Sequence, residues 1–226
     1  MNDEENLALK IGGVPLPYDL EHHHVLLVGQ PGTGKTVAVQ ELLHAIRRRG
    51  DGAVIYDPTG ALADTLYDPA RDTIISPLDA PEVTTVEGRF IFLTDDLSRS
   101  HHARLIKQVV DEAQGQKMWL VLDELPYDVP TATIEAALAE GSGVTVIATA
   151  QSIGQIKAHG YETLWSVPRT LLFLRMGDNE TAELAAREIG EKWARALGHL
   201  PPLSGCLSLR IQGDGPCLAT SVKLKV

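Results

Sequence analysis

Eight consecutive residues, Gly29-Gln30-Pro31-Gly32-Thr33-Gly34-Lys35-Thr36, fit the pattern G-x-x-x-x-G-K-[ST] in full. They continue directly from an apolar run and lead directly into a stretch with helical spacing. In that setting each residue type has a physical task. Glycines without Cβ let the backbone close around an anion, and inward-pointing N–H groups meet it where a helix N-terminus is positive. Lys35 adds a point charge for the β- and γ-phosphates of a nucleotide. Thr36 offers a hydroxyl to Mg²⁺, an ion that takes oxygen ligands in octahedral geometry and usually keeps some of its waters. Gly29 to Thr36 is therefore the candidate ATP-binding segment. The plainer alternative is a Gly-rich strand-to-helix turn with an incidental Lys-Thr.

A second element has to hold the metal and activate water. Trp119-Leu120-Val121-Leu122-Asp123-Glu124 is an apolar strand ending in adjacent carboxylates. Neighbouring side chains at a strand end point to different faces, so Asp123 is assigned to Mg²⁺ and Glu124 to the attacking water. A third run, Val144–Ala150, delivers Gln151 and Ser152 at its carboxyl end. The carboxyl ends of an open parallel sheet face the ligand crevice, where a neutral amide can sense a γ-phosphate or orient water. Gln151 is the candidate sensor, an ordinary turn residue being the alternative. Asp57 either joins the metal shell through water or caps the turn before Pro58.

These residues need a scaffold, and the hydrophobic pattern supplies one. Short apolar, β-branched runs recur at Val25–Gly29, Ala53–Asp57, Arg89–Asp95, Met118–Glu124, Val144–Ala150 and Arg169–Met176. Between them lie helical stretches such as Thr36–Arg49, where Val39, Leu42, Leu43 and Ile46 share one face. Alternating strands and helices predict an α/β fold, a mostly parallel sheet with helices on both faces. The ends differ. Residues 1–20 form an N-terminal extension rich in Gly and Pro, and 205–226 read as a terminal β-hairpin turning at Gly213-Asp214-Gly215-Pro216. Pro201-Pro202 is too short a linker to divide domains, so 1–226 is expected to be one nucleotide-binding domain.

Composition narrows the class. The chain has 226 residues, with 20 Lys+Arg against 30 Asp+Glu, a formal charge of −10 and 44% hydrophobic residues. A chain of this size buries a large core without staples, which excludes disorder and small disulfide scaffolds. No apolar stretch approaches a bilayer span, and the acidic start is unlike a secretory signal, so a soluble chain is expected. Cys206 and Cys217 lack metal-ligand spacing and are expected to be reduced, intracellular thiols. The acidic balance argues against a monomer coated with nucleic acid, but not against a basic channel formed by an oligomer.

The order and spacing of several segments resemble the motor domain of the FtsK/HerA superfamily of P-loop ATPases, and most closely conjugative coupling proteins of the TraD/TrwB type. The resemblance runs from about residue 11 to 190. It is carried by Ile11–Pro17, by Glu21–His24 leading into the phosphate loop, and by Asp57-Pro58-Thr59-Gly60. Leu122-Asp123-Glu124, Ala148–Ser152 and Leu174–Ala182 continue it. It implies a RecA-like sheet and a homo-oligomeric ring of six, with ATP hydrolysed at subunit interfaces. It also implies DNA moved through the central channel, docking to type IV secretion components, and a cytoplasmic chain placed at the inner membrane through partners.

Three departures qualify what is carried over. Members of that type have amino-terminal transmembrane helices, and no stretch here resembles one. They also carry an all-helical domain where only 65 residues separate Asp57 from Asp123. The third departure is catalytic. Relatives commonly place an arginine in the turn before the strand ending in Gln-Ser, positioned to enter a neighbour's site, whereas this chain reads Ala139-Glu140-Gly141-Ser142-Gly143. Arg175 and Arg169 are the candidate substitutes, with a plain surface role as the alternative for each.

Other features read more simply. Three adjacent histidines, His22 to His24, do not converge on one ion, because consecutive extended positions alternate faces. They are expected to be solvated, with His24 near the nucleotide base. Arg47-Arg48-Arg49 ends a helix before Gly50, where cations complement the dipole. His101, His102 and Lys107 are expected on the solvent stripe of a helix beginning near Ser98. Lys157, His159, Arg104 and Lys107 are conceivable DNA contacts, yet none forms a basic-aromatic cluster and aromatics make up 5% of the chain, so no residue is assigned to DNA. Two rivals to the DNA motor stand: a DNA-packaging or processing ATPase of the HerA branch, and a nucleotide-switched binding module of a secretion ring with little turnover of its own.

Overall fold

The computed structural model describes residues 7–75, 86, 88–94, 99–112, 117–126, 129–210 and 218–225. The chain opens with a small antiparallel ribbon, β1 (Lys10–Ile11) and β2 (Val14–Pro15). Next come β3 (Val25–Val28), α1 (Lys35–Arg48), β4 (Ala53–Asp57), α2 (Ala61–Leu66), β5 (Thr73–Ile75) and β6 (Phe90–Thr94). The middle of the chain forms α3 (Arg99–Glu112), β7 (Met118–Leu122), α4 (Thr131–Leu138) and β8 (Val144–Ala150). It closes with α5 (Ile153–Ala158), α6 (Thr163–Ser166), β9 (Thr170–Phe173), α7 (Asn179–Ile189), α8 (Glu191–Leu197), β10 (Ser204–Leu209) and β11 (Leu218–Lys223).

Among the described residues, nine strands form one sheet in the order β11-β10-β9-β3-β8-β7-β4-β6-β5. From β9 to β5 every pairing is parallel. β10 runs antiparallel to both β9 and β11. The expected α/β class, with a mostly parallel sheet and a terminal hairpin, is thus the observed one. β4 and β8 match their apolar runs in full, whereas β3 stops at Val28, β6 covers Phe90–Thr94, β7 stops at Leu122, and β9 keeps only Thr170–Phe173 of the run Arg169–Met176. β5 was not legible, because the segment after it lacks a hydrophobic period. The turn expected at 213–216, and Cys217 with it, lies outside the described residues.

Alternation along the strands sends side chains to two separate cores. Val25, Leu27, Ile55, Trp119, Val121 and Ile147 meet Val39, Leu42, Leu43 and Ile46 of α1. Leu26, Val28, Leu120, Leu122, Val146 and Ala148 meet α3, α4, α5 and α7 through Leu105, Ile106, Ile134, Ile153 and Ala185. Full burial of such side chains contributes roughly 1.5–3 kcal/mol each, which is why the sheet can hold polar groups rigidly at its carboxyl edge.

Basic residues expected at helix ends are spent on structure. Arg47 donates to Asp72 Oδ2 at 2.7 Å and lies 4.0 Å from the Phe90 ring centre, and Arg49 pairs with buried Glu21 at 2.7 Å. His102 corrects an expectation. It is buried rather than on a solvent stripe, its Nε2 lying 2.9 Å from the Thr94 carbonyl, because α3 turns that face toward the end of β6.

Candidate functional site

Parallel register lines up the carboxyl ends of β3, β8, β7 and β4, and the candidate residues stand at the last position of β4 and the first positions beyond the others. Val28 pairs with Ala150 and Leu122 with Ala148. Gly29 N–H donates to the Ala150 carbonyl at 3.1 Å, and Asp123 N–H to the Tyr56 carbonyl at 3.0 Å. Gly29, Gln151, Asp123 and Asp57 thus share one edge of the sheet.

The loop from Gly29 to Gly34 is braced from outside. Gln30 N–H donates to the Arg175 carbonyl at 3.0 Å, and the Thr33 hydroxyl donates to the Gln30 carbonyl at 2.7 Å. A Cβ at Gly29 would sit 2.7 Å from Leu174 Cβ, so only glycine lets the loop lie this close to β9. Gly34 has φ 113°, a left-handed backbone, and a Cβ there would meet Leu203 and Leu224 at 2.9 Å. The Thr33 carbonyl accepts from Leu203 N–H at 3.0 Å. The segment around β10 and β11 therefore clamps the loop, a role that no local motif announces.

α1 begins at Lys35 with no side-chain cap and no acidic residue in its first turn. Its first N–H groups are left for an external acceptor, at the end where the helix dipole favours negative charge. Lys35 is only 9% exposed, and its Nζ donates to the Gly29 carbonyl at 2.6 Å and the Gln30 carbonyl at 3.2 Å. Burial pushes its pKa down, while Asp123 and Glu124 pull it back up.

Thr36 Oγ1 donates to Asp123 Oδ2 at 3.3 Å, joining residues that are far apart in sequence. Two neighbouring ligands of an octahedral Mg²⁺ lie about 3 Å apart, so this oxygen pair fits such an ion, with phosphate and water completing the shell. Asp123 is buried, and burial raises its carboxyl pKa above the ordinary range. Hydrogen bonds from Thr149 and Thr36 work against that rise, whereas the Asp57 and Glu124 charges add to it. A cation here would relieve a concentration of negative charge that Lys35 offsets only in part.

Asp123 and Glu124 lie just past the strand that was expected to carry them. β7 ends before them, and Glu124 takes a left-handed φ of 75°. A left-handed backbone at a non-glycine residue carries a strain of roughly 1–3 kcal/mol, and the charges of both carboxylates act on Lys35. Thr149 holds that conformation. Its hydroxyl donates to Asp123 Oδ1 at 3.2 Å and accepts from Glu124 N–H at 2.9 Å. Sequence reasoning gave Thr149 no role, although a buried polar residue inside the apolar run Val144–Ala150 was a usable signal.

The remaining candidates divide. Gln151 is half-buried at the end of β8, its N–H donating to Gln155 Oε1 at 2.7 Å. Asp57 caps α2, accepting from Leu62 N–H at 3.0 Å and Ala63 N–H at 2.8 Å, with burial raising its pKa. Arg175 lies on the carboxyl edge beside the loop, and Arg169 lies at the amino end of β9. His24 is displaced from the expected place. It precedes β3, whereas the phosphate loop follows it, so the strand separates the two; its Nδ1 accepts from Val146 N–H at 3.1 Å. Among the conceivable DNA contacts, Lys157 pairs with Glu180 and Lys107 with Asp111, and His159 Nδ1 lies 2.6 Å from the Gln155 carbonyl.

The family model for the type IV secretion-system coupling protein DNA-binding domain matches residues 8–84 and 96–198. Coupling protein TraD of Escherichia coli (strain K12) is 38% identical over 78 residues, which cover 34% of this chain and 11% of TraD. The match thus spans a small part of that relative's length. The bacterial conjugative coupling protein TrwBdeltaN70, unbound, superposes with a TM-score of 0.77 at 17% identity, over 97% of this chain and 89% of that one. TrwB in complex with the non-hydrolysable ATP analogue ADPNP gives 0.74 at 16% identity, over 96% and 89%. B204, the DNA-packaging ATPase from Sulfolobus Turreted Icosahedral Virus, gives 0.65 at 11% identity, over 92% and 100%. At these identities the likeness concerns the fold, a RecA-like sheet with its hairpin edge.

Proposed function

The chain belongs to the family of type IV secretion-system coupling protein DNA-binding domains, and we propose that it is a Mg²⁺-dependent ATPase motor that moves DNA, hydrolysing ATP between copies of itself in a ring. One observation carries the reading: Thr36 and Asp123 meet at 3.3 Å beside an uncapped helix N-terminus and a buried lysine. Relatives whose structures hold nucleotide analogues support it, as does TrwB in complex with ADP and Mg²⁺.

In this reading Gly29, Gln30, Pro31, Gly32, Thr33 and Gly34 wrap the phosphates through their backbone, and Lys35 neutralises charge on the transferring group. Mg²⁺, bound through Thr36 and Asp123, would supply further charge neutralisation on the β- and γ-phosphate oxygens. Glu124 orients water in line with the γ-phosphorus. The water oxygen forms the new P–O bond, the bond to the β-phosphate oxygen breaks, and ADP and phosphate leave. Gln151, at the end of the neighbouring strand, reports the phosphate to the subunit contact. Residues 1–226 act as one nucleotide-binding domain in a homo-oligomer, six copies around a DNA channel, docked on type IV secretion components. No described helix is long and apolar enough to cross a membrane. The proposed place is the cytoplasm, peripheral at the inner membrane through partners.

Specific ATPase activity measured against protein concentration, with and without DNA, tests the motor. It is expected to rise steeply on assembly and again with DNA; a rate per chain that stays flat under both conditions overturns it. The B204 likeness favours a second reading, a packaging ATPase of the HerA branch, for which virion-length duplex rather than conjugative partners would be the stimulating substrate.

Thr149 is a positioning residue in this scheme. Thr149→Val removes the donor to Asp123 and the acceptor for Glu124 N–H, so the Asp123 pKa moves further up. Half-saturation by Mg²⁺ is expected to rise roughly 10- to 100-fold. Since the metal needs the carboxylate, the loss should deepen as pH falls, and Thr149→Ser should restore it. An unchanged Mg²⁺ titration in Thr149→Val would remove Thr149 from the scheme.

A further inference from the structure

Thr149 secures Glu124 from the strand side only, through the Glu124 N–H. A left-handed φ of 75° at a glutamate relaxes unless the residues that follow also hold it. Those residues run from Leu125 to Pro130, where α4 begins. Leu125, Pro126 and Val129 are buried, so their carbonyls need donors from within the protein.

Tyr161 is such a donor. Its side chain is 1% exposed, and its hydroxyl donates to the Val129 carbonyl at 2.6 Å and the Pro126 carbonyl at 2.9 Å, one proton shared between two acceptors. Among the described residues, no other side chain hydrogen-bonds to the backbone of 125–130. A residue distant in sequence thus closes the loop that leaves Glu124.

Tyr161 is itself a fixed point. α5 ends in a Schellman turn: Gly160 takes φ 71°, its N–H donates to the Lys157 carbonyl at 2.9 Å, and Tyr161 N–H donates to the Ile156 carbonyl at 3.0 Å. The Tyr161 carbonyl accepts from Leu164 N–H of α6 at 2.9 Å. The other end of α5 is tied as firmly. Ser152 Oγ accepts from Gln155 N–H at 3.2 Å, Gln155 Oε1 returns to Gln151 N–H at 2.7 Å, and Ile153 N–H donates to the buried Thr181 Oγ1 of α7 at 2.9 Å. Gln151 therefore enters this short helix and Tyr161 leaves it, so one rigid piece carries the candidate sensor at its start and the anchor of the Glu124 loop at its end.

We propose that Tyr161 is a positioning residue for hydrolysis: through the Pro126 and Val129 carbonyls it holds the loop after Glu124 fixed relative to Gln151, and so keeps the Glu124 carboxylate aimed at the attacking water. The inference rests on the ATPase reading above. Without the hydroxyl, the two carbonyls lose their donor, the loop shifts toward other partners, and the backbone at Glu124 is free to relax.

Tyr161→Phe keeps the ring in the core and removes the hydroxyl alone. Affinity for a non-hydrolysable ATP analogue and half-saturation by Mg²⁺ are expected within about 2-fold of wild type, because the phosphate loop, Thr36 and Asp123 keep their own contacts, while single-turnover hydrolysis falls roughly 10- to 100-fold. The decisive arm repeats the change in Glu124→Gln. A hydroxyl that acts through that carboxylate costs less than about 2-fold once the carboxylate is gone, whereas one that only braces the fold lowers both backgrounds by the same factor.

Wild-type hydrolysis by Tyr161→Phe overturns the proposal, and so does an equal loss in the two backgrounds. Should Tyr161→Phe fail to bind the analogue, Gly160→Ala carries the same comparison: it keeps the hydroxyl but strains the turn that aims it, a Cβ there lying 3.4 Å from Thr131 Oγ1. Loss of analogue binding in both variants overturns the proposal as well, since Tyr161 then holds the fold rather than Glu124. If wild type itself does not hydrolyse ATP, the ATPase reading fails, and the proposal falls with it for that separate reason.

Discussion

Lys35→Ala is expected to weaken nucleotide binding roughly 10- to 150-fold, the equivalent of about 1.5–3 kcal/mol for a hydrogen bond to a charged group, and to bring hydrolysis below detection. The reason lies in what the ammonium does without nucleotide. It is buried, desolvated and satisfied only by two loop carbonyls, Gly29 and Gln30. Burial already lowers its pKa, so the charged form is held at a cost that nearby carboxylates offset only in part. A triphosphate supplies the missing counter-charge. Removing the amine leaves the loop with its N–H groups but no cation, while the unliganded fold loses little, because the same change deletes a desolvated charge. Equilibrium binding of a labelled ATP analogue, with a thermal melt as control, checks both halves. Undiminished affinity in the variant would detach Lys35 from the phosphates.

Glu124→Gln should separate binding from chemistry. The substitution keeps side-chain size and the left-handed backbone at φ 75°, and the Thr149 contact uses the Glu124 N–H, which the variant retains. The water-orienting carboxylate alone is lost. Turnover is expected to fall about 10²- to 10⁴-fold, the usual contribution of a positioned acid–base group, with analogue affinity within about 2-fold of wild type. Single-turnover hydrolysis at saturating ATP reads the first quantity directly. Turnover at the wild-type rate would return Glu124 to the status of an acidic turn residue and move water activation elsewhere.

How far the sequence announced this arrangement depends on the range of each interaction. The phosphate loop was legible because its task is local: glycines, lysine and threonine must follow one another between a strand and a helix. The parallel sheet was legible because apolar runs alternated with helical spacing, and strand identity needs no knowledge of partners. Contacts set by topology were not. Nothing near Thr33 says that Leu203 and Leu224 clamp it, since β10 and β11 reach the loop only after the sheet has formed. Thr149 was visible as a polar residue in an apolar run, but its two hydrogen bonds depend on the Leu122–Ala148 register. His24 was misplaced because closeness in sequence to the loop hid the strand between them. The left-handed backbone at Glu124 was not legible either, because nothing in an apolar run ending in two carboxylates signals a positive φ just past the strand.

The proposed chemistry requires a triphosphate wrapped by the loop before Thr36, with its metal reached by Asp123. Calorimetric titration of the wild-type chain with a non-hydrolysable ATP analogue, in Mg²⁺ and then in a chelator, tests that most directly. The predicted result is a saturable heat at one nucleotide per chain in Mg²⁺ that weakens sharply in the chelator. No heat in either buffer, or equal affinity in both, would contradict it.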